Sequence, residues 1–285
     1  MFITGRTRVV GIFGDPVAHS LSPLMQNAAL QAAGIDAVYV PFHVTPAQLC
    51  DAVSALRVMG MQGVNLTIPH KETACALVDE LDPTAALIGA VNTIVLRNGR
   101  LLGYNTDAPG LLRVLQGELG LSPAGKKVLV VGAGGAARAA VVALAQAGAA
   151  WVGVANRTPE RADRLLAELA PQLQGTAFAA MSLAADLPER LGGGVDLLIN
   201  SSAAGLRGES LPLPVELCVH PDGAVYDMIY GQQPTPLVMA AHAAGLAAAD
   251  GFGMLAGQGE EAFRLWFDAL PPAGVMRAAL QGLCS

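Results

Sequence analysis

The sequence predicts an α/β protein of two domains. Three observations carry this. Apolar, β-branched runs alternate with Ala/Leu-rich runs of helical character along the chain. A length of 285 residues leaves room for two domains of ordinary size. The strongest glycine-turn motif begins only near Lys126, after a stretch that already forms its own α/β series.

The strand-like runs are Val9–Phe13, Val38–Val40, Lys127–Val131, Asp196–Ile199 and Ala224–Tyr226. The helix-like runs are Leu24–Ala33, Ala47–Val58, Ala136–Ala147 and Pro159–Leu169. Their alternation predicts mostly parallel sheets. Asn98-Gly99, inside Arg97–Arg100, is a hairpin turn signal. The first boundary is expected near Asp107. The tail after His242 is too short to be a domain, so it must pack on one of the two. The chain thus divides near Asp107 and His242 into 1-107, 108-242 and the tail 243-285.

Hydrophobic residues make up 53% of the chain and charged residues 14%, which is ample for packed cores and argues against disorder. A net charge of −6 gives no electrostatic case for nucleic acid or an anionic membrane as partner, so a bound phosphate must meet a local basic site. Cys50, Cys75, Cys218 and Cys284 form no CxxC pair and read as thiols of a reducing compartment. The five histidines show no ligand spacing, so no metal is expected. The N-terminal residues lack an apolar signal core, and Ala139–Asn156 reads as a helix followed by a strand, not a span. A soluble cytoplasmic protein is expected.

The segment from Val128 to Gly148 reads strand, glycine turn, helix. Its turn matches G-x-G-x-x-A at Gly132, Gly134 and Ala137. Gly132 suits the tight turn, Gly134 a close approach of backbone to pyrophosphate, and Ala137 close helix–strand packing. The helix N-terminus then offers N–H groups to the anion. The competing reading is a tight turn in an unrelated α/β protein, but the strand–turn–helix context favours a Rossmann-like doubly wound dinucleotide-binding domain. The next strand, Trp151–Ala155, ends in Asn156, Arg157, Thr158, Pro159, Glu160 and Arg161. NAD sites usually carry Asp or Glu there for the ribose 2′-hydroxyl. Two guanidinium groups and a hydroxyl suit a 2′-phosphate instead, which favours NADP over NAD. The plainer reading makes Thr158 a helix cap with Pro159 at the first position, and the two are compatible.

Three polar clusters stand out in so apolar a chain: His19–Pro23, Asn65–Lys71, and Gly89–Thr93 followed by Gly103–Asp107. Each has a structural reading. Ser22 would cap a helix, Pro69 would open one, and Asp107 would cap a helix from about Ala108 to Leu119. Lys71 is harder to dismiss, because the first turn of the expected helix disfavours a cation.

Taken together, HSLSP, NLTIPHK, GAVNT with NTD, GAGGAARA, NRTPER and the tail from Asp250 to Gly259 resemble the shikimate dehydrogenase family over nearly the whole chain. The resemblance implies an N-terminal α/β substrate domain, 1-107, completed by the C-terminal helices of 243-285, beside an NADP-binding domain, 108-242, with the site in the cleft. It implies that Ser20 and Ser22 hold a substrate carboxylate, and that Asn65, Thr67, Asn92, Asp107 and Gln258 bond ring hydroxyls. Lys71 with Asp107 would be the catalytic pair. Gly132, Ala133, Gly134, Gly135, Ala136, Asn156, Arg157, Thr158, Arg161, Met228, Tyr230 and Gly251 would hold NADP. Lys71, Asp107 and Gln258 are expected to converge on one cleft facing the Gly132–Ala137 turn.

The implied reaction is the reversible NADPH-dependent reduction of 3-dehydroshikimate to shikimate, in a monomer or homodimer. Asn200-Ser201-Ser202 departs from the family's N-A-T or N-x-T pattern, small residue for small. The competing readings are a quinate/shikimate dehydrogenase using NAD, which Asn156-Arg157-Thr158 argues against, and a non-catalytic ligand-sensing homologue, which would be expected to lose the Lys71/Asp107 pair.

Overall fold

The computed structural model describes residues 3–206, 208–231 and 233–282, so Cys284 lies outside the described residues. It divides into two compact units. One comprises the residues up to Thr106 with those from Leu255 on, and the other comprises Asp107–Met254.

The first unit opens with β1 (Arg8–Gly14), α1 (Ser22–Ala32), β2 (Ala37–His43), α2 (Leu49–Met59) and β3 (Gly63–Leu66). It continues with β4 (Glu80–Leu81), α3 (Pro83–Ile88), β5 (Thr93–Arg97) and β6 (Arg100–Tyr104). The sheet order is β2-β1-β3-β5-β6-β4. β1 is parallel to β2 and β3, but β5 is antiparallel to both β3 and β6. β4 is parallel to β6, so three of the five pairs are parallel and the expectation of mostly parallel sheets holds here too. Both antiparallel pairs involve β5, and the β5–β6 pair comes from the hairpin that the sequence signals: Asn98 and Gly99 take φ 52° and 78°, the left-handed pair a two-residue turn requires. Phe13, Leu49, Leu56, Val64, Ile94 and Leu101 belong to one buried cluster in this unit.

The second unit runs α4 (Asp107–Glu118), β7 (Lys127–Val131), α5 (Gly135–Gln146), β8 (Trp151–Asn156), α6 (Pro159–Leu169) and β9 (Ala177–Ser182). It ends with α7 (Leu187–Leu191), β10 (Val195–Asn200), α8 (Val215–Cys218), β11 (Val219–Asp227), α9 (Pro236–Ala243) and β12 (Ala247–Ala249). All its strand pairs are parallel, in the order β12-β11-β10-β7-β8-β9. Sequential strands thus run outward from β7 on one side and from β10 on the other, the doubly wound arrangement. The expected return near His242 comes too early. Residues 247–249 add β12 to the edge of this sheet beside β11, and the second crossing follows Met254.

The tail forms α10 (Phe252–Phe267) and α11 (Val275–Gln281). In the first unit α10 is fixed by Trp266, whose Nε1 donates to the Ile94 carbonyl at 3.0 Å. Gly63 makes room for that indole: a Cβ there would lie 2.5 Å from Trp266 Nε1. No helix among the described residues is long and apolar enough to cross a membrane.

Candidate active site

In the second unit, β7 ends in the glycine turn. Gly132 has φ +112°, and a Cβ on it would lie 2.8 Å from Ser201 Oγ, so a side chain is excluded by both conformation and space. Gly134 is the N-cap of α5 and makes no side-chain capping bond. Gly134 and Gly135 are exposed, and nothing lies within 4 Å of a Cβ built on either. The start of α5 therefore faces open space with its first-turn N–H groups, the arrangement that receives a phosphate. Ala137 is wholly buried, as close helix–sheet packing requires.

At the end of β8, the Asn156 amide donates to the Thr158 carbonyl at 2.8 Å and shapes the turn. Thr158 takes the N-cap position of α6, but its hydroxyl makes no capping bond, so the expected side-chain cap is absent. Arg157, Thr158 and Arg161 are exposed. This strand end holds no carboxylate for a ribose hydroxyl. The residues present fit a dinucleotide with a 2′-phosphate.

Asp227, Met228, Tyr230 and Gly251 gather at the ends of β10 and β11. Asp227 is wholly buried; its carboxylate accepts from Asn200 Nδ2 at 2.9 Å, Ile229 N at 3.1 Å and Thr235 Oγ1 at 2.6 Å. Burial raises its carboxyl above the usual carboxylate range, against the lowering effect of those donors. Asn200 Oδ1 in turn accepts from the backbone and hydroxyl of Ser202, at 3.0 and 2.7 Å. Gly251 closes on Met228: a Cβ there would lie 2.2 Å from the Met228 carbonyl oxygen. Gly253 serves packing, since its Cβ would collide with Val114 and Glu118 of α4.

In the first unit the polar clusters join one hydrogen-bonded series. The Tyr39 hydroxyl donates to Asn65 Oδ1 at 2.8 Å. Asn65 Nδ2 donates to Thr93 Oγ1 at 2.9 Å and to the Asn92 carbonyl at 3.2 Å. Asn92 Oδ1 accepts from Thr93 Oγ1 at 3.0 Å and from Thr106 N at 2.8 Å. Thr106 Oγ1 lies 3.5 Å from Gln258 Oε1, and Gln258 Nε2 donates to the Leu255 carbonyl at 2.9 Å. Burial pushes the Tyr39 phenol far above the usual range, and the Ser22 side chain bonds the same oxygen and opposes this.

Ser22 is not the helix cap. Leu21 holds that position without a side-chain bond, and Ser22 is the first helical residue, its N–H donating weakly to Ser20 Oγ at 3.3 Å. Lys71 is half-buried in a turn. Only a 3₁₀ helix, Thr73–Ala76, follows it, so the α-helical first turn expected at Lys71, and opened by Pro69, is absent. The Lys71 carbonyl is pinned by Val91 N at 2.8 Å, and the neighbouring His70 Nε2 sits 2.7 Å from the Val44 carbonyl. Thr67 N donates to the Phe13 carbonyl at 3.0 Å, so Thr67 continues the line of β3. Asp107 is the first residue of α4, directly after Thr106.

Sequence reasoning missed Tyr39, Thr93, Thr106, Asn200 and Asp227 as organisers. Thr93 and Thr106 lie inside motifs and could have been found there. Tyr39 reads as an ordinary strand residue, because its partner is 26 positions away.

Three family models match the chain. They are the shikimate dehydrogenase substrate binding domain over residues 12–94, shikimate/quinate 5-dehydrogenase over 115–205, and the shikimate 5′-dehydrogenase C-terminal domain over 251–281. A protein of Geobacter sulfurreducens named shikimate dehydrogenase (NADP(+)) is 50% identical over 98% of both chains. Among solved structures, shikimate 5-dehydrogenase of Thermus thermophilus in complex with NADP(H) and shikimate is 39% identical, with a TM-score of 0.85 over 96% of this chain and 99% of that one. The ligand-free 5-ketofructose reductase of a Gluconobacter strain is 33% identical, with a TM-score of 0.91 over 98% and 100%. Fold, glycine turn and matches define an α/β oxidoreductase with a Rossmann-like unit. The chain belongs to the shikimate dehydrogenase family.

Proposed function

We propose that this chain catalyses the reversible NADPH-dependent reduction of 3-dehydroshikimate to shikimate, a step towards chorismate and the aromatic amino acids. The observation that carries the reading is the hydrogen-bonded series from Tyr39 through Asn65, Thr93, Asn92 and Thr106 to Gln258. It holds several amide and hydroxyl side chains in fixed orientation within the unit that contains the substrate-binding family match, as recognition of a polyhydroxylated acid requires.

A bound nicotinamide cofactor would supply the hydride as NADPH and take it up as NADP⁺. Lys71 supplies the proton to the oxygen as ketone becomes alcohol and takes it back in the reverse direction. Asp107 holds the Lys71 ammonium in place. Ser20 and Ser22 hold the substrate carboxylate, while Asn65, Thr67, Asn92, Asp107 and Gln258 bond the ring hydroxyls. Gly132, Ala133, Gly134, Gly135 and Ala136 receive the pyrophosphate; Asn156, Arg157, Thr158 and Arg161 hold the 2′-phosphate. Met228, Tyr230 and Gly251 complete the cofactor contacts. The residues up to Thr106 with those from Leu255 on act as the substrate domain, and Asp107–Met254 as the cofactor domain, in place of the expected limits at 107 and 242. The reading includes a cytoplasmic location and a monomer or homodimer, which fractionation and light scattering test.

The deciding assay follows absorbance at the reduced nicotinamide band with shikimate or quinate crossed against NADP or NAD, and with 5-ketofructose against NADPH. Shikimate with NADP is expected to give the highest kcat/KM. A higher value for quinate, for 5-ketofructose or for NAD overturns the assignment.

A further inference from the structure

Asn65 is buried, and its carboxamide is almost saturated inside the protein. A carboxamide offers two N–H donors and two lone pairs. Both donors are used, one on the Asn92 carbonyl and one on Thr93 Oγ1, and one lone pair is used by Tyr39. The Asn92 carbonyl can only accept, so the group facing it must be the amide nitrogen. This settles the orientation of the carboxamide and turns Oδ1 towards the phenol. Tyr39 must then be the donor in its bond to Asn65.

A single lone pair on Oδ1 is all that Asn65 has left for a ligand. It can receive an O–H and cannot donate to a carbonyl or carboxylate. Tyr39 is itself held without slack. It is 2% exposed in β2, and its ring lies 6.0 Å from that of Trp266, which is anchored on Ile94.

The geometry points to Tyr39 as a positioning residue that fixes Asn65 as a pure acceptor, so that this part of the site selects a ligand hydroxyl. The inference rests on the proposed function, since the ligand hydroxyl is taken to be one of shikimate's. Loss of the Tyr39 oxygen leaves Asn65 Oδ1 with no protein donor and the carboxamide held from one side only.

The test compares wild type, Tyr39→Phe, Asn65→Ala and the double variant in Michaelis constants for shikimate and NADP, with melting curves. Tyr39→Phe keeps the ring against Trp266 and removes one oxygen. It is expected to raise the shikimate KM by about three- to tenfold, as loss of one neutral hydrogen bond implies, with the NADP KM unchanged. In the Asn65→Ala background the same change is expected to raise KM by less than it does alone, leaving only the part that passes through Ser22, whose side chain bonds the same phenol oxygen. An unchanged shikimate KM, an additive double variant, an equal rise in both constants, or loss of a cooperative melt each overturns the proposal. The last two would assign the hydroxyl to the fold as a whole. A wild-type chain without shikimate-dependent NADP reduction would overturn the proposed function and this inference with it. An active wild type with an unaffected Tyr39→Phe overturns this inference alone.

Discussion

Asn200 Nδ2 donates to Asp227 Oδ1 at 2.9 Å, tying the end of β10 to the end of β11. Neither residue is a proposed ligand contact. Between them they hold Ser202 on one side, and Ile229 and Thr235 on the other. Met228 and Tyr230 flank Ile229, so the conformation of this loop depends on a wholly buried carboxylate.

That carboxylate gives a pH prediction. Burial raises the folded-state value of Asp227 above the unfolded value of about 3.9. A carboxyl with a raised folded value contributes stability that is fully present below the unfolded value and is lost as pH rises through the folded one. Asp227→Asn carries no charge at any pH. The melting temperature of wild type relative to Asp227→Asn is therefore expected to fall as pH rises from acid towards neutral. A pH series of thermal melts checks this; a relative stability that increases with pH contradicts it.

Gly251 faces the Met228 carbonyl with no room for a methyl group. Gly251→Ala should displace the 228–230 loop at a cost of ~1–3 kcal/mol, the range for overpacking. The expected outcome is a melting temperature lower by several degrees, and an NADP KM that rises more than the shikimate KM. An unshifted melt would mean the loop yields freely.

Arg157 is exposed beside the turn held by Asn156 and Thr158. Arg157→Ala removes a partner of the 2′-phosphate that NAD lacks. Hydrogen bonds to charged groups contribute ~1.5–3 kcal/mol, so NADP affinity should fall by about ten- to a hundredfold, with NAD little changed. Parallel fluorescence titrations with both cofactors check the asymmetry; equal losses would assign the arginine another task.

Lys71 is carried on a turn fixed through its own carbonyl and through His70. Lys71→Ala should lower kcat by ~10²–10⁴, the usual contribution of an acid–base group, and leave the shikimate dissociation constant little changed. Turnover above about a tenth of wild type would remove it from the proton-transfer role.

By itself the sequence determined what short-range chemistry encodes. The strand and turn from Lys127 to Gly134, the helix Pro159–Leu169 and the Asn98-Gly99 hairpin follow from the side-chain periodicity and φ limits of residues that are neighbours in the chain. The six motifs likewise carry the family, because the residue types that handle phosphate and hydroxyl groups are written directly in them. Tertiary structure decided everything that depends on partners far apart in the chain. It moved the second boundary from His242 to Met254, since Ala247–Ala249 becomes a strand only when β11 is there to pair with it. It left Ser22 inside α1 and placed Leu21 at the cap. It also joined Tyr39 to Asn65, and Asn200 to Asp227, across strands separated by 26 and 27 positions. A buried polar group must find a partner wherever the fold supplies one, and no local pattern announces which residue that will be.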